Sequence, residues 1–229
     1  KYPFRQNSNF LYLTGLNEPD AILIIEKSSP GIIFVREKNL DLEIWTGEKK
    51  GLEGAKSDLS IGRVVSVSDY KHCLLEILQK KTKVLFPFDC EYSQFIVDNF
   101  LKVGAKASNY RPTISLIEDL NPIIHSMRVI KSPLELTLMM KAAEISSESH
   151  CKAMQILKPG LSEDQLASVI EHNFRILGAK DIAYETIVGG GENACILHYT
   201  ERKDYLNNGD LVLVDSGCEF NGYASDITR

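Results

Sequence analysis

The sequence lacks a dense cluster of lysine and arginine, and it lacks any long apolar run. Its 229 residues include 26 Lys and Arg against 31 Asp and Glu, a net charge of -5. Without a basic patch we expect no nucleic-acid partner and no binding to an anionic membrane surface. The longest apolar runs, such as residues 21–25, are far shorter than the roughly 20 residues of a membrane span. We therefore expect no membrane partner.

Cysteines are few and widely spaced, and no two of them form a C-x-x-C pair. This pattern predicts reduced thiols in a cytoplasmic, reducing compartment instead of a disulfide or zinc framework. The hydrophobic fraction of 44% and the charged fraction of 25% are those of an ordinary globular protein. The five cysteines are Cys73, Cys90, Cys151, Cys195 and Cys218.

Both ends of the sequence have the character of cut ends. The chain starts at Lys1 without an initiator methionine, inside a segment with the pattern of folded structure, and stops at Arg229 at the end of a strand-like run. We therefore expect a C-terminally truncated fragment. The lack of a targeting segment is then uninformative, since one could precede Lys1.

The first part of the chain alternates strand-like and helix-like segments, which predicts an α/β domain with a mainly buried sheet. Strand segments are rich in β-branched and aromatic residues between Gly, Pro, Asn or Ser. The predicted strands are residues 10–14, 21–26, 32–36, 64–67 and 83–88, and the predicted helices are 69–81 and 92–103.

The pattern changes near residues 122–130, and we place the domain boundary near residues 125–131, between domains 1–127 and 128–229. Ser132, followed by Pro133 and by Glu135 three residues on, predicts the start of a long helix that ends near residue 158. A second helix is predicted from Ser162 to residue 177. Only strands are predicted after it, at residues 184–188, 195–199, 211–219 and 223–229.

Asn221 and Gly222 join two β-rich runs, which is a strong signal for a two-residue hairpin turn. With that turn, paired residues have numbers that sum to 443, so Asp226 faces residue 217 and Asp215 faces residue 228. Side chains alternate along a strand, so Asp215 and Asp226 become diagonal neighbours on one face. Apolar residues precede Asp215, and this face is therefore expected to be buried.

Two neighbouring carboxylates in a buried site repel each other unless a cation lies between them. A divalent metal, or a pair of metals, resolves that repulsion, and oxygen ligands favour an ion such as Mn²⁺. The alternative stays open at this point: one aspartate would end a strand and the other would lie on the surface.

Three further patterns favour other interpretations. Residues 215–217 match the aspartic-protease loop, but the motif occurs once, and the preceding helices do not suit an all-β protease. Residues 189–194 match a dinucleotide-binding loop, but the strand-like residues after them exclude the helix that it needs. His198 stands alone, as core or edge histidines do. His72, His125, His150 and His172 form no ligand spacing.

Several segments in order closely resemble the family of bacterial Xaa-Pro aminopeptidases (aminopeptidase P). The resemblance implies an α/β, creatinase-like N-terminal domain and the first half of an α+β pita-bread domain like that of methionine aminopeptidase. It implies removal of the N-terminal residue from peptides with proline second, usually with two Mn²⁺ ions. The segments are residues 2–10, 13–21, 43–47, 186–199, 209–219 and 222–229.

The resemblance also implies roles for individual residues. Asp215 and Asp226 match two metal ligands, and His198 matches the catalytic, substrate-handling histidine. The family's remaining ligands, one His and two Glu, lie further along and are absent from this chain, so the 229-residue chain alone is expected to be inactive. A prolidase of the same fold and a non-catalytic pita-bread binding module remain alternatives.

Trp45 is the single tryptophan, and its polar neighbours predict a surface loop or strand end. A partly buried tryptophan at the edge of its own domain is the alternative. The resemblance implies a homo-oligomer, a tetramer or dimer, with Trp45 near a neighbouring subunit's active site.

Overall fold

The computed structural model describes residues 4–27, 29–58, 62–105 and 115–229. The chain divides into two compact units, Lys1–Val129 and Ile130–Arg229. In the part of the chain so described, no helix is both long and apolar enough to cross a membrane.

Helices account for much of both units. Two 3₁₀ helices, Val67–Asp69 and Gly191–Cys195, accompany the α-helices. The α-helices are α1 (Ser8–Thr14), α2 (Leu40–Thr46), α3 (Gly51–Asp58), α4 (Tyr70–Leu78), α5 (Ser93–Ala105), α6 (Asn121–Val129), α7 (Pro133–Ile156) and α8 (Glu163–Ile176).

The strands are short. In the first unit β2 pairs antiparallel with β1 and parallel with β3, while β4 pairs parallel with β5. They are β1 (Ile22–Ile24), β2 (Ile32–Val35), β3 (Arg63–Ser66), β4 (Lys83–Phe86), β5 (Leu116–Asp119), β6 (Asp181–Ile182), β7 (Ile187–Gly190), β8 (Val212–Ser216), β9 (Cys218–Phe220), β10 (Tyr223–Ala224) and β11 (Ile227–Thr228).

The strand predicted at residues 10–14 is wrong, because this segment belongs to helix α1. The Asn7 side chain accepts hydrogen bonds from the backbone N–H groups of Asn9 and Phe10, which caps the helix. Gly15 then ends it in the left-handed conformation, with φ of 67°, which glycine adopts without steric cost. The apolar density of this segment resembles a strand, but its two caps define a helix.

Trp45 lies in helix α2, so the prediction of a loop or strand end is wrong there. Asn39 caps the helix by accepting from the N–H of Leu42. The Trp45 side chain is 85% exposed, which also contradicts the alternative of a partly buried tryptophan. Helix α3, which follows, was likewise not predicted.

The second unit packs helices α7 and α8 against the strands that follow them. Both helices begin at the predicted positions, and the structure shows a capping box at Ser132 and another at Ser162. Their inner faces and the strands share one apolar core, formed by Ala142, Ile145, Ala153, Leu166, Ala167, Ile170, Phe174, Ala179, Val188, Leu206, Val214 and Cys218.

The strand predicted at residues 195–199 is wrong. A 3₁₀ helix over Gly191–Cys195 follows β7 and leads into turns. The dinucleotide-binding loop was excluded because a strand was predicted after it, and that reason is wrong. Five residues of 3₁₀ helix still do not supply the long α-helix whose N-terminus holds a pyrophosphate, so the exclusion itself stands.

Candidate metal centre

The hairpin that carries both aspartates has the predicted register. Tyr223 pairs with Phe220 and Thr228 pairs with Asp215, so both pairs sum to 443. Asn221 and Gly222 have φ of 50° and 85°, the positive values that a type I′ turn requires at both central positions. The turn therefore brings Asp226 beside Asp215.

The aspartate-bearing face of the hairpin is not the buried one, which corrects the prediction. Asp215 is half-buried and Asp226 is exposed, while Val214, Ser216 and Ser225 are buried. Because side chains alternate along strands, Val212 and Val214 lie on the face opposite Asp215, and Leu211 and Leu213, which share its face, are not buried. The buried face of the hairpin packs on α7, and the two carboxylates project from the opposite face.

Both carboxylates meet at one hydroxyl group. The phenol oxygen of Tyr184 lies 2.6 Å from Oδ1 of Asp215 and 3.0 Å from Oδ1 of Asp226. Burial of the ring, together with the two neighbouring carboxylates, raises the pKa of Tyr184, so the phenol keeps its proton. Tyr184 was not assigned a role from the sequence, since no motif marks it and its partners lie 31 and 42 residues away.

The donor set at this point suits a hard cation. One phenol proton is shared between two carboxylates, so most of their lone pairs have no donor from Tyr184. Carboxylate oxygens of this kind are ligands for Mn²⁺, Mg²⁺ or Ca²⁺. Within the described ranges, however, no group of three or more His, Cys, Asp or Glu side chains is placed to hold a metal ion. Asp215 and Asp226 therefore offer a cation two carboxylates, with no third His, Cys, Asp or Glu ligand beside them in the described ranges.

His198 is exposed, in a turn that follows the Gly191–Cys195 helix, so it is not the core histidine that its apolar neighbours suggest. The next residue, Tyr199, is 4% exposed, and its buried side chain holds the turn in place. Its hydroxyl donates to Oε2 of Glu163 at 2.8 Å. His198 therefore stands at the surface on an anchored segment.

Glu163, at the start of α8, holds residues 190–204, which we call the His198 segment, by hydrogen bonds. It is 0% exposed, and each of its carboxylate oxygens accepts two hydrogen bonds. Oε1 accepts from Gly190 N at 2.9 Å and Asn193 Nδ2 at 3.0 Å. Oε2 accepts from Tyr199 and from Asp204 N at 3.1 Å. A fully buried carboxylate with four donors holds residues 190–204 on the helix.

Two family models match this chain. The model "Aminopeptidase P, N-terminal domain" matches residues 1–86, and the model "Metallopeptidase family M24" matches residues 137–229. The chain thus carries an aminopeptidase P N-terminal domain followed by part of an M24 pita-bread domain. Both the resemblance found in the sequence and the fold that it implies are confirmed.

Individual relatives agree with the family models. The chain is 40% identical to Xaa-Pro aminopeptidase of Escherichia coli and 42% identical to that of Haemophilus influenzae. It matches the solved structure of zinc-substituted E. coli aminopeptidase P in complex with product, with a TM-score of 0.93 and 40% identity. Each match covers 100% of this chain and 52–53% of the relative. The chain spans about half the length of these relatives.

Proposed function

We propose that the protein is a metal-dependent aminopeptidase that removes the first residue from peptides whose second residue is proline. The observation that carries the proposal is the convergence of Asp215 and Asp226 on one phenol, in a chain similar throughout to Xaa-Pro aminopeptidases. A divalent metal would supply Lewis acidity toward the scissile carbonyl. Neither a prolidase nor a binding module is favoured by the relatives.

The two aspartates are the proposed metal ligands, and Mn²⁺ is the proposed ion, two per site. Carboxylate ligation favours Mn²⁺ over ions that prefer thiolates. The E. coli relative described as zinc-substituted supports a divalent site that also accepts zinc. The role of Tyr184 is to orient both carboxylates by its shared proton, and its raised pKa keeps it a neutral donor.

His198 is the proposed catalytic residue that contacts substrate. Exposure leaves its ring free to reach a bound peptide, and the Glu163–Tyr199 hydrogen bond limits the motion of its backbone. Catalytic groups on a segment fixed in this way need little reorganisation when substrate binds.

Peptide hydrolysis tests the proposal and is measured on the full-length protein, because the 229-residue chain alone is expected to be inactive. We expect Mn²⁺-dependent release of the first residue from a Xaa-Pro-Xaa peptide, and little release from a Xaa-Ala-Xaa peptide. Asp226→Asn should abolish activity and reduce metal content, while Asp98→Asn, at an exposed position of α5, should change neither. Unchanged metal content and turnover in Asp226→Asn would refute the metal assignment, and cleavage of Xaa-Pro dipeptides alone would indicate a prolidase.

We further propose a homo-oligomer, a tetramer or dimer, with Trp45 at a subunit boundary. Helix α2 exposes four large apolar residues, since Leu40 is 76%, Leu42 58%, Ile44 80% and Trp45 85% exposed. Aromatic residues are enriched at interfaces, where they bury a large area.

A cytoplasmic location is proposed because all five cysteines are free thiols, as in reducing compartments.

A further inference from the structure

Helix α7 and the aspartate hairpin meet through a buried row of polar groups, which we name the helix–hairpin seam. Ser146 and His150 of α7 lie one helical turn apart, and they face three hairpin residues, Ser216, Cys218 and Ser225. All five are at most 9% exposed. The apolar core of the second unit surrounds them, so each polar group needs a partner inside the protein.

Every polar side chain of the seam has a partner across it. Oγ of Ser146 lies 2.7 Å from Oγ of Ser225, and the Cys218 N–H donates to both hydroxyls, at 3.0 and 3.1 Å. Nε2 of His150 lies 3.2 Å from the carbonyl oxygen and 3.1 Å from Oγ of Ser216. The carbonyl accepts only, so His150 donates there.

The two hairpin serines are the immediate sequence neighbours of the two aspartates. Ser216 follows Asp215, and Ser225 precedes Asp226. Each serine points into the seam while its aspartate points to the opposite face. The strands also approach closely here, since a Cβ on Gly217 would lie 1.8 Å from the carbonyl oxygen of Ser225. A shift of either serine therefore moves the neighbouring carboxylate.

Apolar side chains would fill the same space without needing partners, so stability alone does not require polar groups in this core. Hydrogen bonds instead specify one arrangement, because a shifted strand would leave several buried polar atoms unpaired. A one-residue slip of a strand sends every side chain to the other face. In the hairpin, such a slip would turn an aspartate into the core.

We propose that Ser146 and His150 are positioning residues that set the two carboxylates at the geometry required for metal binding. Ser146 acts through Ser225 on Asp226, and His150 acts through Ser216 on Asp215. The inference rests on the proposed function only in taking Asp215 and Asp226 as metal ligands. Groups outside the ligand set commonly change metal affinity 10- to 100-fold when replaced.

Mn²⁺ binding to the metal-free full-length protein, measured by calorimetry, tests the seam without relying on activity. We expect Ser146→Ala and His150→Leu each to weaken Mn²⁺ binding by about tenfold. Ser149→Ala is the matched control, because Ser149 is equally buried on the same helix but donates only to Ile145 O within α7. Its affinity should stay within about twofold of the unchanged protein. His150→Gln, which keeps a donor, should recover most of the loss in His150→Leu.

The outcomes separate this inference from the proposed function. If Asp215→Asn and Asp226→Asn leave Mn²⁺ binding unchanged, the metal site itself is wrong. If those variants lose Mn²⁺ while Ser146→Ala and His150→Leu bind it like Ser149→Ala, only the positioning role is overturned. Failure of both seam variants to fold, while Ser149→Ala folds, would also overturn it, because the seam would then serve stability.

Discussion

Replacing Glu163 by glutamine is the sharpest test of how the His198 segment is held. Glutamine has the same shape but offers one acceptor oxygen and one NH₂ group. The backbone N–H groups of Gly190 and Asp204 bond to different carboxylate oxygens of Glu163. In either orientation of the amide, one of these N–H donors therefore faces another donor at the fully buried side chain of residue 163.

The magnitude follows from those contacts. Leaving one buried N–H unpaired costs about 1–3 kcal/mol, and hydrogen bonds to a charged group contribute about 1.5–3 kcal/mol. The Tyr199 hydroxyl already accepts from Asn193 Nδ2 at 3.0 Å and from Lys203 N at 3.3 Å, so it is not a free acceptor for the new NH₂ group. We expect Glu163→Gln to lower the free energy of unfolding of the native protein by about 3 kcal/mol.

Lowering the pH should reduce the difference in free energy of unfolding between the native protein and Glu163→Gln. Burial disfavours the charged form of Glu163, but its hydrogen bonds outweigh burial and hold the pKa below the ordinary value of 4.5. A carboxyl with a lower pKa in the folded state adds stability above its unfolded pKa, and this stability is lost as the pH falls through the folded value. The difference between the native protein and Glu163→Gln is thus full at neutral pH and narrows below about pH 4.5.

Urea unfolding followed by circular dichroism measures both effects, as a shift in midpoint at constant slope. Glu148→Gln, at an exposed position of α7, is the control for loss of one carboxylate. A Glu163→Gln variant within about 0.5 kcal/mol of that control would refute the role assigned to the buried carboxylate.

Three further substitutions have definite expected outcomes. His198→Ala should lower kcat about 10²- to 10⁴-fold with metal content unchanged by elemental analysis, and equal loss in the exposed His72→Ala would contradict a specific role. Gly217→Ala should destabilise the protein by about 3 kcal/mol in thermal or urea unfolding, because the new Cβ meets the Ser225 carbonyl; an unshifted midpoint would show that the strands can separate freely. Trp45→Ala should shift the native protein toward smaller species in light scattering, unlike Phe88→Ala at another exposed aromatic; a native protein that is already monomeric at micromolar concentration would contradict the proposed assembly.

Local signals predicted the parts of the fold that they control. The capping boxes at Ser132 and Ser162 fixed the starts of α7 and α8, and the Asn221–Gly222 turn fixed the hairpin register over all its pairs. Segments without such signals were missed or wrong. Helix α1 has strand-like apolar density, and helix α2 spans only seven residues, with its caps at Asn39 and Gly47 as the local indications.

The candidate site was predictable where its geometry follows from the hairpin alone. Alternation and register placed Asp215 beside Asp226, but they could not tell which face would pack on a helix. Tyr184 and Glu163 act through partners 27 to 42 residues away in sequence. Contacts of that range depend on tertiary packing, which neither spacing nor composition encodes.

The two anchors have a consequence for local opening. The hairpin is bonded to α7 and the His198 segment to α8, and these helices pack on each other within one core. Neither segment can leave its helix without exposing buried, hydrogen-bonded groups. The amide hydrogens of Gly190, Asp204 and Cys218 should therefore exchange with solvent only when the α7–α8 pair itself opens. Heating would then unfold the aspartate hairpin and the His198 segment in one cooperative step, instead of unfolding one of them first.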